Sequence, residues 1–361
     1  MKRVTILTPG LGLGGAEVWI RALVSGCKDF EWTVGTQPTK HDHPLIVSAI
    51  SKHSKIVARG SLPEAAAAAS KNADAVIAWG IGNYWPIPTR APVVFVGHGS
   101  CQWTLTATAW ALEGGARHFV GVSSQAAEAM RALVPNVHVL LNGVDTGRLI
   151  VPDDRYAIRK HWRPHGNDYD KYVGYMGRMS EEKNVDSVIN AVASMPFHYK
   201  LVLIGCTGLS RDRMLGLART VLSARVIEVP ATDDIGVPLG GLDCMVQVSP
   251  REGHSLALCE AWLCGVPVIS NMTGAVPELS RMAGFDLVER VPDDPLTNEV
   301  AEAIRRVCLT PPSERVAKAQ AFAQEHLTAE VMCRKWTAFL HGIIGGRGIP
   351  GCAKALAGID L

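Results

Sequence analysis

The sequence predicts an α/β protein of two doubly wound, Rossmann-like domains, each a parallel sheet covered by helices on both faces. Three observations carry that prediction. Short apolar strands alternate with helical stretches along most of the chain, the pattern of βαβ units. A polar, proline-containing stretch at 151–171 interrupts the alternation, which restarts beyond it. The length, 361 residues, exceeds the size at which one hydrophobic core usually stops growing. The expected organisation is a first domain over 1–150, a linker region over 151–171 and a second domain over 172–330, with 331–361 as a closing helix and tail that packs back on the first domain.

In the first domain, strands are expected at 4–8, 32–36, 55–58, 75–79, 93–96, 118–122 and 137–140. Helices are expected between them at 16–25, 43–51, 63–70 and 124–133. Pro63-Glu64 ahead of Ala65–Ala69 sets a proline near the first helical turn, followed by strong helix formers. The linker region holds a short helix at 155–162. The second domain reads as strands near 172–175, 200–204, 225–229, 244–248 and 266–270, with helices near 184–194, 211–222 and 255–264. Helical segments dominate after about residue 298. In such sheets ligands bind beyond the carboxyl ends of the strands, so the loops there are where chemistry is expected.

Composition narrows the partners. A formal net charge of +2 argues against a dedicated nucleic-acid binder. The nine cysteines contain no C-x-x-C pair and read as reduced, mostly buried thiols of a cytoplasmic protein. The apolar run after Met1-Lys2-Arg3 breaks at Pro9-Gly10, too early for a signal peptide. No run approaches the ~20 apolar residues of a membrane span. The segment Lys40–Lys55 reads as an ordinary amphipathic helix, which leaves room for contact with the inner membrane surface.

Residues 4–17 read VTILTPGLGLGGAE, and Gly10, Gly12 and Gly15 satisfy the G-x-G-x-x-G spacing of dinucleotide sites. That reading needs an acid at the end of the second strand to hold a ribose. Here Gln37-Pro38-Thr39 follows Thr36, and Glu31 lies before the strand, so a nicotinamide or flavin enzyme is disfavoured. A glycine loop at a helix start can still hold another phosphate-bearing ligand.

The segment VQVSPREGHSLALCEAWLCGVPVISNMTGAVPEL, 246–279, is more specific. Glu252 lies in a loop and Glu260 eight positions later inside a mostly apolar helix. At ~1.5 Å per residue the intervening helix spans most of the diphosphate and ribose of a sugar nucleotide. Helix-start amides from Gly253 to Leu256 would lie on the diphosphate between the two glutamates.

This segment resembles the E-x7-E region of retaining GT-B glycosyltransferases, especially glycosyltransferase family 4. The resemblance extends to Gly14-Gly15-Ala16-Glu17, Val94-Phe95-Val96-Gly97-His98-Gly99, Asn142-Gly143-Val144-Asp145 and Gly174-Tyr175-Met176-Gly177-Arg178 with Glu182-Lys183-Asn184, in the family's order. It implies a GT-B fold, with the two domains facing each other across a cleft. It also implies transfer of a sugar from a nucleoside diphosphate to an acceptor hydroxyl, with retention and without a metal. By the same resemblance Glu252 lies by the donor sugar and Glu260 binds the ribose hydroxyls. Arg178 and Lys183 stabilise the departing diphosphate, His98 contacts the sugar, and Gly14, Gly15, Gly177, Gly253, His254, Ser255 and Leu256 line the donor. The acceptor that the resemblance implies is a saccharide, a lipid-linked glycan or another hydroxyl compound.

One departure stands out: Gly253-His254-Ser255 follows the first glutamate where Gly-Phe-Gly or Ser-Phe-Gly is usual. Ser255 is open to capping the helix and binding a phosphate, or to altering donor preference; His254 is open to touching the sugar or packing. Six of nine tryptophans fall in 1–110, and Trp79, Trp85 and Trp103 are candidate acceptor contacts, since aromatic faces suit sugar rings. Asp168-Tyr169-Asp170 and Lys40-His41-Asp42-His43 read as solvated loops, not metal ligands. Two other readings stay open: a nucleotide-sugar 2-epimerase of the same architecture, and a non-catalytic sugar-nucleotide-binding module.

Overall fold

The computed structural model describes residues 1–163 and 166–346. The unassigned tail beyond 346 lies outside them. Contacts divide the chain into two units: Met1–Gly143 with the helix that starts at Ala329, and Val144–Thr328.

In the first unit, β1 (Lys2–Thr8), β2 (Phe30–Thr36), β3 (Lys55–Ala58), β4 (Ala75–Ala78), β5 (Val93–Gly97), β6 (His118–Gly121) and β7 (His138–Val139) form one sheet. Every pairing is parallel and the order is β3-β2-β1-β4-β5-β6-β7. The connecting helices are α1 (Gly15–Gly26), α2 (Pro44–Ser51), α3 (Leu62–Ser70), α4 (Gln102–Glu113) and α5 (Ser124–Arg131). Ser61 caps α3 by accepting from the Glu64 amide, so the alanine tract has a defined start. The sequence gives little sign of α4, because threonines and tryptophans dilute its helical propensity.

The second unit opens with α6 (Arg155–Trp162) and holds β8 (Lys171–Arg178), α7 (Val185–Ala193), β9 (Tyr199–Thr207), α8 (Arg211–Leu222), β10 (Val226–Val229), α9 (Gly236–Gly240), β11 (Cys244–Gln247), α10 (Leu256–Leu263), β12 (Val268–Ser270), α11 (Val276–Ala283), β13 (Glu289–Arg290), α12 (Thr297–Leu309) and α13 (Ser313–His326). Its sheet is again parallel, in the order β10-β9-β8-β11-β12-β13. Strand order reverses direction between β8 and β11, which makes their carboxyl ends the switch point where ligands bind in open α/β sheets. The core beside them is aliphatic, with Val173, Val188, Ile189, Leu201, Leu203, Val246 and Ile304 fully or almost fully buried.

One expectation is corrected. Asp168 is exposed as a solvated linker requires, but Asp170 is 3% exposed and its carboxylate lies 3.6 Å from the equally buried Lys200 ammonium. A buried carboxylate must be paired, and Asp170 stands immediately before β8 where the next strand supplies the cation. Asp170 is a structural anchor, not a solvated linker residue.

The last helix, α14 (Ala329–Ile344), packs on the first unit. Its Trp336 is fully buried with ring centroids 5.6 Å from Trp19 and 5.7 Å from Phe339. Among the described residues no helix is long and apolar enough to cross a membrane. Trp336→Ala should cost about 3–5 kcal/mol, the range for emptying a buried aromatic site. Chemical denaturation followed by fluorescence and circular dichroism checks this, and a change below about 1 kcal/mol would contradict the packing.

Candidate functional site

The β8 end of the second unit supplies cations. Gly177 has φ 139°, a left-handed value that favours glycine, beside an irregularity in the β8 register between Met176 and Arg178. The buried Tyr175 hydroxyl donates to the Arg178 carbonyl at 2.8 Å, which secures the turn. Arg178 itself is 55% exposed and lies 3.4 Å from Glu182, also exposed. A 3-10 turn, Glu181–Lys183, follows, and Asn184 takes a left-handed φ of 50° before α7 starts. The Asn184 amide reaches the Val248 carbonyl at 3.5 Å, joining this turn to the β11 end.

The β11 end supplies Glu252. Its loop is held from below: Asn271 donates to the Ser249 carbonyl at 2.9 Å and to the Asp293 carbonyl at 3.1 Å, and Thr273 donates to Ser249 at 3.1 Å. Gly274, with φ 61°, lies so close that a Cβ there would fall 2.5 Å from the Gly253 oxygen and 2.8 Å from the Glu252 Cβ. Only glycine fits behind that loop. Thus positioned, Glu252 Oε1 lies 2.7 Å from Lys183 Nζ, with the two side chains 12% and 18% exposed. Gln247 Nε2 donates to the same oxygen.

Ser255 is the N-cap of α10 and accepts from the Leu258 amide at 3.4 Å; its hydroxyl lies 2.7 Å from Gln247 Oε1. Leu256 opens the helix and is buried. His254 is 7% exposed, with Nε2 3.3 Å from the Cys259 sulfur. Glu260, one turn into α10, is 6% exposed and lies 3.1 Å from Arg148 NH1. Burial is the main force pushing the Cys264 thiol up to about 12, and it pushes Cys259 up as well, so neither thiol flanking Glu260 is a ready nucleophile.

In the first unit, Gly14 is the extended N-cap of α1, and a Cβ on Gly15 would meet nothing within 4 Å. Asp42 closes the glycine loop: Oδ1 accepts from the Leu11 amide at 2.9 Å and the Thr39 hydroxyl at 2.8 Å, and Oδ2 from the Thr39 amide at 3.2 Å. His98 lies against Trp19 and Trp79, with ring centroids 4.8 and 5.5 Å away. Trp85 packs on Phe95, while Trp103 is 45% exposed.

Lys183, Glu252 and Ser255 therefore gather at the β8–β11 switch point, and Glu260 lies further along the same helix in a closed ion pair. Arg178 is on the same strand end but turned to Glu182. Arg148 and Gln247 are not legible in the sequence as site residues. Arg148 is separated from its partner by 112 residues, and its only signal is an arginine in a short polar run. Gln247 shows as the one polar residue in the strand Cys244-Met245-Val246-Gln247.

Removing one partner of a buried ion pair leaves a charge without compensation. Arg148→Met should therefore destabilise the protein by about 3–5 kcal/mol, whereas Arg148→Met with Glu260→Met should recover most of that loss in urea denaturation. Equal losses in the single and double variants would show that the pair is not closed.

Residues 170–309 match the family model of "Glycosyl transferases group 1". The GDP-mannose-dependent alpha-mannosyltransferase of Mycobacterium tuberculosis is 28% identical over 148 residues, 40% of this chain and 36% of its own length. The lipopolysaccharide core biosynthesis mannosyltransferase LpsB of Rhizobium meliloti is 32% identical over 155 residues, 40% of this chain and 43% of its own length. The matches thus span less than half of these relatives. Among solved structures, Anabaena Alr3699/HepE in complex with UDP-glucose superimposes with a TM-score of 0.80 at 18% identity, over 95% of this chain and all of that one. WaaG, a glycosyltransferase involved in lipopolysaccharide biosynthesis, gives a TM-score of 0.69 at 14% identity, over 94% of this chain and all of its own. Residues 170–309 are thus similar to the group 1 glycosyltransferases, and the two parallel-sheet domains are those of the GT-B fold.

Proposed function

We propose that the chain is a retaining, metal-independent glycosyltransferase that moves a sugar from a nucleoside diphosphate to an acceptor hydroxyl. The observation that carries this reading is the Lys183–Glu252 ion pair, 2.7 Å long, beside the N-terminus of α10 at the switch point of the second unit. A cation and a helix N-terminus together suit a diphosphate. A carboxylate at the same place suits the hydroxyls of the sugar it carries. A relative named as GDP-mannose-dependent and a neighbour in complex with UDP-glucose support a sugar nucleotide as donor.

In this reading the bond from the anomeric carbon to the diphosphate breaks as the acceptor oxygen bonds to that carbon on the same face. The acceptor proton passes to a phosphate oxygen of the leaving group. Lys183, with Arg178 swinging from Glu182, balances the charge that grows on the diphosphate, the task a metal performs elsewhere. Glu252 orients the sugar, Gly253 to Leu256 offer backbone amides, and Glu260 takes the ribose hydroxyls. Gly14, Gly15, Gly177, His254 and His98 keep the donor contacts that the family resemblance gives them. Trp79, Trp85 and Trp103 serve a saccharide or lipid-linked acceptor.

A thermal-shift screen over UDP-, GDP-, ADP- and dTDP-sugars should raise the melting temperature with one nucleotide class, because a ligand bound only to the folded state adds RT ln(1 + [L]/Kd). With that donor, Lys183→Ala and Glu252→Ala should each lower kcat about 100-fold or more, the scale of losing one transition-state charge partner. Full turnover in both variants would place the chemistry elsewhere. Isomerised sugar nucleotide formed without acceptor would indicate the epimerase, and undiminished activity after chelation is expected if no metal takes part.

A further inference from the structure

Gln247 is 6% exposed and ends a strand that is buried at every position. A polar side chain there must satisfy its amide, and it does so at both ends. A carboxylate only accepts hydrogen bonds, so the NH2 group of Gln247 is the end that faces Glu252. The carbonyl end, Oε1, then accepts the hydroxyl proton of Ser255 across 2.7 Å. With that proton committed, the Ser255 oxygen is left to accept from the Leu258 amide at the start of α10. The donors run in one direction: Leu258 N–H to Ser255, Ser255 O–H to Gln247, Gln247 N–H to Glu252. Lys183 meets the same Glu252 oxygen from the β8 side.

We propose that Gln247 is a positioning residue, and that with Ser255 it forms a hydrogen-bonded strut fixing the Glu252 carboxylate relative to the N-terminus of α10. This rests on the sugar-nucleotide reading above and gives a use to the serine that departs from the family pattern. Ser255 does more than cap the helix: its hydroxyl sets which way the Gln247 amide faces. Glu252 and the helix-start amides, the groups assigned to the sugar and the diphosphate, are thereby held in one frame. Positioning of this kind changes kcat more than KM when it matters chiefly in the transition state.

The test uses the full chain with Gln247→Leu, Gln247→Glu and Ser255→Ala. Two probes, UDP-glucose and GDP-mannose, are followed by release of nucleoside diphosphate with water or an added saccharide as acceptor. Gln247→Leu should lose about 10- to 100-fold in kcat with little change in KM, and Ser255→Ala a smaller part of that. Gln247→Glu sets a second carboxylate against Glu252, which Lys183 alone then has to balance, so protonation of one carboxyl is favoured. Its kcat relative to wild type should rise as pH falls from about 8 to 5, because the protonated acid restores the donor, whereas Gln247→Leu should show no such recovery.

A ligand-free measurement stands beside these. In Gln247→Glu the neighbouring charge raises the folded-state carboxyl pKa above its unfolded value. The variant's stability relative to wild type should therefore be greatest at low pH and fall as pH rises through that raised pKa. Adding Glu252→Gln should remove that extra dependence. If Gln247→Leu keeps wild-type kcat, or if Gln247→Glu unfolds with the wild-type pH profile, the strut is overturned. If the wild type handles neither probe nor any other sugar nucleotide, the proposed function fails, while the ligand-free profile still decides whether Gln247 holds Glu252.

Discussion

The ion pair between Lys183 and Glu252 sets the demands that the second unit meets. The partners are 69 residues apart in sequence, and each side chain is largely withdrawn from water. Two such charges are costly to desolvate unless their geometry is maintained. Parallel pairing of β11 with β8 brings the two strand ends side by side. The left-handed Asn184, the glycine at 274 and the hydrogen bonds from Asn271 and Thr273 then hold the loops beyond those ends. Sheet order gives the neighbourhood, and these local devices give the distance.

The helix that follows carries a second ion pair of different character. Glu260 and Arg148 are 7% and 9% exposed, so that pair is closed and its main consequence is to fix one carboxylate oxygen. Lys183 is 18% exposed and stands at the positive end of α10. An anion arriving there would find a cation and the positive end of a helix. The first pair is suited to exchanging partners with a ligand, and the second to orienting a group for one. On the proposed reading the two ends of a sugar nucleotide are met by these two kinds of carboxylate.

Much of the architecture is legible in the sequence because parallel strands buried on both faces read as apolar runs, and the helices between them carry their own signals. Pro63 and the alanines announce α3, and the paired sheets follow from the repeated alternation. β13 does not announce itself, since two residues, Glu289 and Arg290, carry no periodicity. The roles of Asp170 and Arg148 are not legible in the sequence for one reason: burial of a charged side chain depends on a partner brought by the fold, Lys200 in one case and Glu260 in the other. Glu252, Lys183 and Ser255 were legible as a motif. Their connection through Gln247 was not, because a single glutamine at a strand end has no pattern.

The glycine loop after β1 illustrates how a spacing match acquires a different physical cause. A dinucleotide site needs a carboxylate free to take a ribose diol near the end of the second strand. Asp42 is a carboxylate in the loop after β2, but its oxygens accept from Leu11 and from both donors of Thr39. It is spent on closing the loop. Gly10 and Gly12 are small for the same purpose: a Cβ on Gly10 would stand 3.1 Å from the Thr39 methyl, and one on Gly12 3.4 Å from the His41 carbonyl. Those two glycines let one loop pack on another. On the proposed reading Gly14 and Gly15, at the start of α1, face the ligand, so the G-x-G-x-x-G match joins positions with separate duties.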